Sequence, residues 1–378
     1  MKNATFRIAT FEGDGIGHEI MPACLHVLEA LQRRIGGFRL EHEKLEGGAE
    51  LYRDRGTDIT DEAFEAARQA DAILFAAMGL PDVRFPDGTE IAPHLRMRLE
   101  FGLFAGLRPA RSFPNAPGPL KDPRAANIDV LVIRESTEGL FASRGKGVLI
   151  DDREARDTMV ITRATCEKLF DKAFELARLR KKAGRPGIVT CVDKSNVFVS
   201  MAFFRKVFDE RAQRFPDIIA RHHYIDATAL DLVRRPWDFD VLVMENMFGD
   251  IISDLAGGLV GGMGMAPCAE IGDAHGLFQP AHGTAPDIAG KGIANPTAMF
   301  LSAAMMLDWL GSQHDAAACH TAASLLVAAV ENVFSEGRHL PRELGGTAQT
   351  NEVASAVADA VRTVDTDGQT SGGRTAFA

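Results

Sequence analysis

The stretch "TFEGDGIGHEI", residues 10–20, follows an apolar opening and sets three glycines within five positions. Two standard phosphate-binding turns are excluded by its spacing. A dinucleotide fingerprint of the G-x-G-x-x-G type needs its third glycine three places after the second. Gly13 and Gly15 fit, but position 18 is His18, and the third glycine falls one residue early at Gly17. A P-loop needs Gly-Lys-Ser/Thr after its second glycine, and none follows. The segment therefore predicts a strand-to-helix turn without a Rossmann phosphate cradle, and an ordinary structural turn fits the same residues.

Working outward, apolar runs rich in β-branched residues alternate with helical patterns. "RIATF" (7–11), "AILFAA" (72–77), "IDVLVI" (128–133), "GIVTCV" (187–192) and "DVLVM" (240–244) read as strands covered on both faces. Helical periodicity covers 18–35, 162–183, 198–214, 297–310 and 315–334. The sum is an α/β fold with a largely parallel sheet. Two segments break the rhythm. Residues 111–127 are proline-rich and read as a surface connection. Residues 141–161 read as polar, exposed strands; a two-stranded excursion is marginal alone, so a partner subunit is expected to complete it. The tail 365–378 is polar and Gly/Ser/Thr-rich, the composition of a disordered segment.

With 378 residues, two domains are the natural expectation. A net charge of −10 argues against a nucleic-acid surface. Five scattered cysteines without a C-x-x-C pair read as reduced residues of a cytoplasmic protein. No signal-like leader and no apolar run of membrane-spanning length is read from the sequence.

Several residues carry candidate chemistry. In "NMFGDIISDLAGGL" (246–259), Asp250 and Asp254 stand at i and i+4, on one helix face. Ile251, Ile252 and Leu255 read as making that helix mostly buried, which favours a divalent cation between the two acids over a solvated face. Arg98 ends the polar face of "HLRMRLEF". Arg108 follows "LFAGL", and Arg134 caps the strand "IDVLVI". One such arginine suggests a structural salt bridge; three together suit a substrate with more than one carboxylate. Lys194 lies just past a strand, as a surface lysine or as a base depressed by burial and a metal. Asp226, after another strand read as apolar, suits an N-cap or a third metal ligand. The loop 279–296 holds His282, Asp287 and Asn295 and has groups fit for an adenosine, although a rigid structural loop is the alternative.

In this order, "GDGIG", "LRPA", "VDKSNV", "NMFGDIISDLA" and "HGTAPDIAGKGIANPTA" resemble the β-decarboxylating dehydrogenases of 3-isopropylmalate, isocitrate, homoisocitrate and tartrate or D-malate, from residue 6 to about 362. The resemblance implies a two-domain α/β fold that is not a Rossmann fold. Residues 1–104 and 261–364 would form the cofactor-side domain, and 105–260 the smaller domain with a dimerisation arm at about 141–161. The active site would lie in the interdomain cleft. Arg98, Arg108 and Arg134 would hold the carboxylates of a small hydroxy diacid. Asp250 and Asp254 would hold Mg²⁺ or Mn²⁺. Asp226 and Lys194 would come from the other subunit of a homodimer, Lys194 as base or proton relay. Ile16, His282, Gly283, Thr284, Ala285, Asp287 and Asn295 would border NAD.

The resemblance implies NAD-dependent oxidation and β-decarboxylation of a 3-substituted malate. Two positions depart from its usual pattern. Phe141 stands where a proton-donating tyrosine is usual, which leaves room for a tartrate- or malate-type enzyme with incomplete decarboxylation. His94 stands where isopropylmalate enzymes place a leucine, with Leu95 beside it, so a small or polar C3 substituent is expected. A non-catalytic regulatory subunit is the third reading, and the intact arginines, lysine and aspartates speak against it.

Overall fold

In the computed structural model, residues 4–364 are described; the tail at 365–378 lies outside them. The chain runs β1 (Ala4–Gly13), α1 (Gly17–Ile35), β2 (Phe38–Leu45), α2 (Ala49–Arg55), α3 (Asp61–Gln69), β3 (Ala72–Ala77), α4 (Pro93–Glu100) and β4 (Ala105–Arg111). It continues through β5 (Asp129–Glu135), β6 (Val148–Ile150), β7 (Glu154–Arg156), α5 (Arg163–Lys182), β8 (Ile188–Asp193), α6 (Val199–Ala212), β9 (Ile219–Tyr224), α7 (Ile225–Arg234), β10 (Val241–Met244) and α8 (Asn246–Leu259). It closes with β11 (Pro267–Ile271), β12 (Gly276–Pro280), α9 (Thr297–Gln313), α10 (Ala317–Glu336) and α11 (Thr350–Thr363).

Ten strands form one sheet in the order β2-β1-β3-β12-β11-β4-β5-β10-β8-β9. The β3 and β10 runs are buried along their whole length, which is why they are apolar without alternation. Six of the nine neighbour pairs are parallel. The other three, β12–β11, β11–β4 and β4–β5, lie together at the centre and are antiparallel. These central strands carry Arg108, Pro109 and Glu270, and their polar residues hid them from an apolar-run reading. The expected division between residues 104 and 105 and between 260 and 261 falls at the β4–β11 pairing, and the sheet crosses it unbroken.

The main core lies where α9, buried along nearly its whole length, covers β11 and β12 and packs against α10. By length and composition α10 could cross a membrane, but it packs between α9 and α11. All five cysteines are buried and unpaired.

One strand reading needs correction. The strand before Asp226, β9, is not a buried apolar run: its six residues IARHHY are mostly exposed, and it is the sheet's edge. The excursion at 141–161 holds the hairpin β6–β7, which pairs only with itself among the described residues and exposes Val148 and Leu149.

Candidate active site

Both helices that bring residues to the site start for local reasons. Pro93 occupies the first turn of α4, where its missing N–H costs nothing. His94 and Arg98, four residues apart on α4, both line one cavity. At the end of β10, the buried Glu245 carboxylate accepts the backbone N–H groups of Met247 at 3.1 Å and Phe248 at 2.7 Å, capping α8. Asp250 and Asp254 then reach the same cavity on successive turns. β5 delivers Arg134 from its C-terminal end, and β4 delivers Arg108. The segment after β12 adds Ala281, His282 and Gly283. The cavity, of about 250 Å³, is lined by residues near the C-terminal ends of β3, β5 and β12 and by Arg108 of β4, across the central strands where the sheet reverses direction.

Three guanidinium groups meet three carboxylates there. Arg134 Nη1 donates to Asp250 Oδ1, while its Nε and Nη2 donate to Asn246 Oδ1 at 2.9 and 2.7 Å. Arg108 Nη1 lies 3.9 Å from Asp250 and 3.8 Å from Asp254, and donates to Ser253 Oγ at 3.2 Å. Arg98 Nη2 lies 2.8 Å from Glu270 Oε1, and Arg108 Nη2 lies 3.7 Å from the same oxygen. Burial opposes a charge on Glu270, yet Arg98, Arg108 and Arg134 together hold its carboxyl down at about 2. Burial, then Arg108 and Arg98, lower Arg134 to about 10, still cationic at neutral pH. Burial raises Asp254 from its ordinary value, against the pull of Arg108.

Several polar atoms in this cavity are buried and unpartnered. They are Arg98 Nε, Arg108 Nε, His94 Nδ1 and His282 Nε2. Buried groups of this kind demand a partner, and these point to a ligand with several oxygens. Burial first, and Arg98 next, push the His94 imidazole down to about 3, so it is neutral. Its ring meets Phe75 edge-on at 5.5 Å. The Phe141 ring lies 5.0 Å from the Arg134 guanidinium carbon and lines the cavity.

The glycine turn has a purpose other than holding phosphate. A Cβ on Gly15, at φ +56°, would lie 2.4 Å from the Thr284 carbonyl oxygen. The glycine lets the turn touch the 282–287 loop, where Ile16 N–H donates to Thr284 O at 3.0 Å and Thr284 Oγ1 donates to Gly79 O at 2.6 Å. Ile16, His282, Gly283, Thr284 and Ala285 are thereby joined at the rim of the arginine cavity. Asp287 is exposed on the same loop. Asn295 is already engaged, donating to Glu343 at 3.0 Å and accepting from Thr297 N–H at 3.1 Å.

Other expectations are corrected. Arg98 is not on a polar face: it is buried against Glu270. Ile251 does not help bury α8, for it is 61% exposed. Asp226 is not an N-cap: Tyr224 holds that position, and Asp226 sits in the first turn of α7. Lys194 and Asp226 pair with each other at 2.6 Å, and neither lines the cavity of its own chain. Among the described residues of one chain, no three acid, histidine or cysteine side chains are grouped to hold a metal. Asp250 and Asp254 offer two hard oxygen ligands, with side chains 43% and 59% exposed, a donor set that fits part of a divalent cation's shell.

Glu270 and Ser136 were missed in the sequence. The one available signal was a lone acid in the apolar stretch "APCAEI" (266–271), since an unpaired buried charge is rare.

A sheet of this order with an arginine- and carboxylate-lined cavity at its strand ends defines an α/β enzyme of anionic hydroxy acids, and the comparisons specify it. The family model described as isocitrate/isopropylmalate dehydrogenase matches residues 7–361. A 3-isopropylmalate/3-methylmalate dehydrogenase of Methanocaldococcus jannaschii is 42% identical over 357 residues, 94% of this chain and 99% of that one. An isocitrate/homoisocitrate dehydrogenase of Thermus thermophilus is 40% identical, over 95% of this chain and 99% of its own. The solved isocitrate dehydrogenase of Methylococcus capsulatus superposes with a TM-score of 0.83 at 33% identity, covering 95% of this chain and 100% of that one. The chain belongs to the isocitrate/isopropylmalate dehydrogenase family. It is a decarboxylating hydroxy-acid dehydrogenase, of a family that works with a nicotinamide cofactor and a divalent metal.

Proposed function

We propose that this protein oxidises and β-decarboxylates a 3-substituted malate with NAD and Mg²⁺ or Mn²⁺, as a homodimer with shared active sites. The observation that carries the reading is the convergence of Arg98, Arg108, Arg134, Asp250 and Asp254 on one cavity that opens beside the 282–287 loop. When bound, the nicotinamide supplies a hydride acceptor and the cation supplies Lewis-acid polarisation of the C2 oxygen.

The chain's own groups do the rest. Arg108 and Arg134 grip the two carboxylates and fix the C2–H bond toward His282 and Gly283, where the cofactor loop begins. Asp250 and Asp254, beside these arginines, would hold the cation. Lys194 of a second copy takes the hydroxyl proton. The buried guanidinium groups form a preorganised cationic site for the negative charge that develops as CO₂ leaves.

The homodimer accounts for a pair that one chain leaves stranded. Around Lys194 and Asp226 the surface exposes Phe198, Val199, Tyr224 and Leu230, and Leu149 stands exposed on the arm. Apolar surface of this extent marks an interface. Asp287, exposed and followed by Ile288, favours ribose hydroxyls over a 2′-phosphate and hence NAD. The five reduced cysteines fit a cytoplasmic setting.

A second reading, a tartrate- or malate-type enzyme with incomplete decarboxylation, is favoured by Phe141, which lines the cavity without a hydroxyl. The test for both is a panel of 2-hydroxy diacids with NAD⁺ and Mn²⁺, with NADH and CO₂ measured separately. NADH and CO₂ in equal amounts support the first reading, and NADH in excess supports the second. No NADH with any acid rejects both.

A further inference from the structure

Glu270 is a fully buried carboxylate inside the anion-binding cluster. It sits on β11 opposite Gly106 of β4. A Cβ on Gly106 would lie 2.8 Å from Glu270 Oε2 and 2.8 Å from Ser136 Oγ, so the glycine is what makes room for the acid. Ser136 Oγ donates to Glu270 Oε2 at 2.6 Å. Glu270 Oε1 takes Arg98 Nη2 at 2.8 Å and faces Arg108 Nη2 at 3.7 Å. Cys268 Sγ donates to Glu270 Oε1 at 3.6 Å. A glycine, a serine and an arginine thus hold one negative charge against the residues that would bind substrate carboxylates.

That arrangement has a consequence for the substrate. A buried acid at this place takes up an arginine nitrogen and repels any further anion brought into the cavity. Nearby, His94 is neutral and offers only an unpartnered ring nitrogen. We propose that Glu270 is a positioning residue that sets the permitted charge of the substrate: it restricts the pocket to hydroxy diacids with an uncharged C3 substituent and rejects tricarboxylates. The inference rests on the function proposed above and names the substrate class within it.

The test is binding to the metal-free, cofactor-free protein, measured by calorimetry with succinate and with propane-1,2,3-tricarboxylate, on the parent and on Glu270→Gln. The amide keeps the shape and the Ser136 contact and removes the charge. The parent should bind succinate at least as tightly as the tricarboxylate. Glu270→Gln should shift the ratio toward the tricarboxylate by about 10- to 100-fold, as expected for one unit charge acting across a partly buried site. A purely structural role would weaken both ligands alike. Glu270→Asp, which keeps the charge and shortens the reach, should retain the parental ratio. An unchanged ratio in Glu270→Gln overturns the proposal. So does tighter tricarboxylate binding by the parent, a result that needs no variant to fold. Because the readout is binding, a parent that reduces NAD⁺ with no hydroxy acid would sink the proposed function and leave this test standing.

Discussion

Replacing His94 by leucine separates two properties of the site. The imidazole is held at about 3, against about 6.5 in the unfolded chain. A histidine with a depressed folded pKa stabilises the fold fully above 6.5, and that stability is lost as pH falls from 6.5 toward 3. Between pH 7 and pH 5 the unfolded chain gains most of a proton at this position that the folded chain does not. The linkage amounts to at most about 2 kcal/mol of stability lost by the parent over that interval. His94→Leu carries no such proton. His42, held at about 4 by burial, behaves alike in both proteins and cancels from the difference.

Urea unfolding of both proteins at pH 7 and pH 5 measures this. The variant should gain on the parent by about 1–2 kcal/mol at the lower pH. A constant difference between the two proteins would refute the claim that His94 is buried neutral. The same substitution tests the pocket. A leucine offers apolar contact to the three carbons of an isopropyl group, worth about 2 kcal/mol, so the ratio of kcat/KM for 3-isopropylmalate over malate should rise about thirty-fold. An unmoved ratio would mean that His94 does not face the C3 substituent.

NAD⁺ should be preferred over NADP⁺ by about two to three decades in kcat/KM, the effect of one carboxylate facing an added phosphate charge at roughly 4 Å; comparable values would reject the role of Asp287. Phe141→Tyr should raise keto-acid product per NADH, and solvent deuterium should slow the parent more than the variant; no change in either would leave position 141 without weight in the proton step. Asp254→Asn should weaken Mn²⁺ binding by about ten-fold or more in a calorimetric titration, with little change in melting temperature, since its side chain is exposed and it shares no short hydrogen bond with the arginines. Inactive Lys194→Ala and Asp250→Asn proteins, unfolded together and refolded, should regain roughly a quarter of parental activity, because half the random dimers carry one intact shared site; no recovery would place both residues in one chain's site.

The parts of the fold that showed in the sequence were those with a single environment. β3, β5, β8 and β10 are covered on both faces and read as unbroken apolar runs. The helices α1, α5, α9 and α10 were legible to within a few residues at each end. The central strands β4, β11 and β12 were not, because the site is built into them: Arg108 and Glu270 interrupt the pattern that marks a strand. β9 was misread for the opposite reason, since an edge strand awaiting cover is polar and exposed. Within the site, the i, i+4 spacing of Asp250 and Asp254 showed in advance, because it depends only on helix geometry. Glu270 did not, because its meaning depends on Arg98, Ser136 and Gly106, which are remote in sequence and meet only through sheet pairing.

The same distinction bears on where the catalytic proton comes from. Lys194, just past the end of β8, and Asp226, in the first turn of α7, lie next to the edge strand and pair at 2.6 Å. An exposed ion pair of this kind adds little to stability, so stability alone does not explain why the surrounding surface is apolar. Phe198, Val199 and Leu230 beside the pair, and Ile251 between the two cavity aspartates, are costly to leave in water. A second chain that covers them would carry its lysine toward Asp250 and Asp254 of the first. The acids could then exchange partners, with Asp226 turning from lysine to cation, and Lys194 would face the substrate with its counter-ion removed. Assembly would thus bring the lysine, the two cavity aspartates and the arginines into one site.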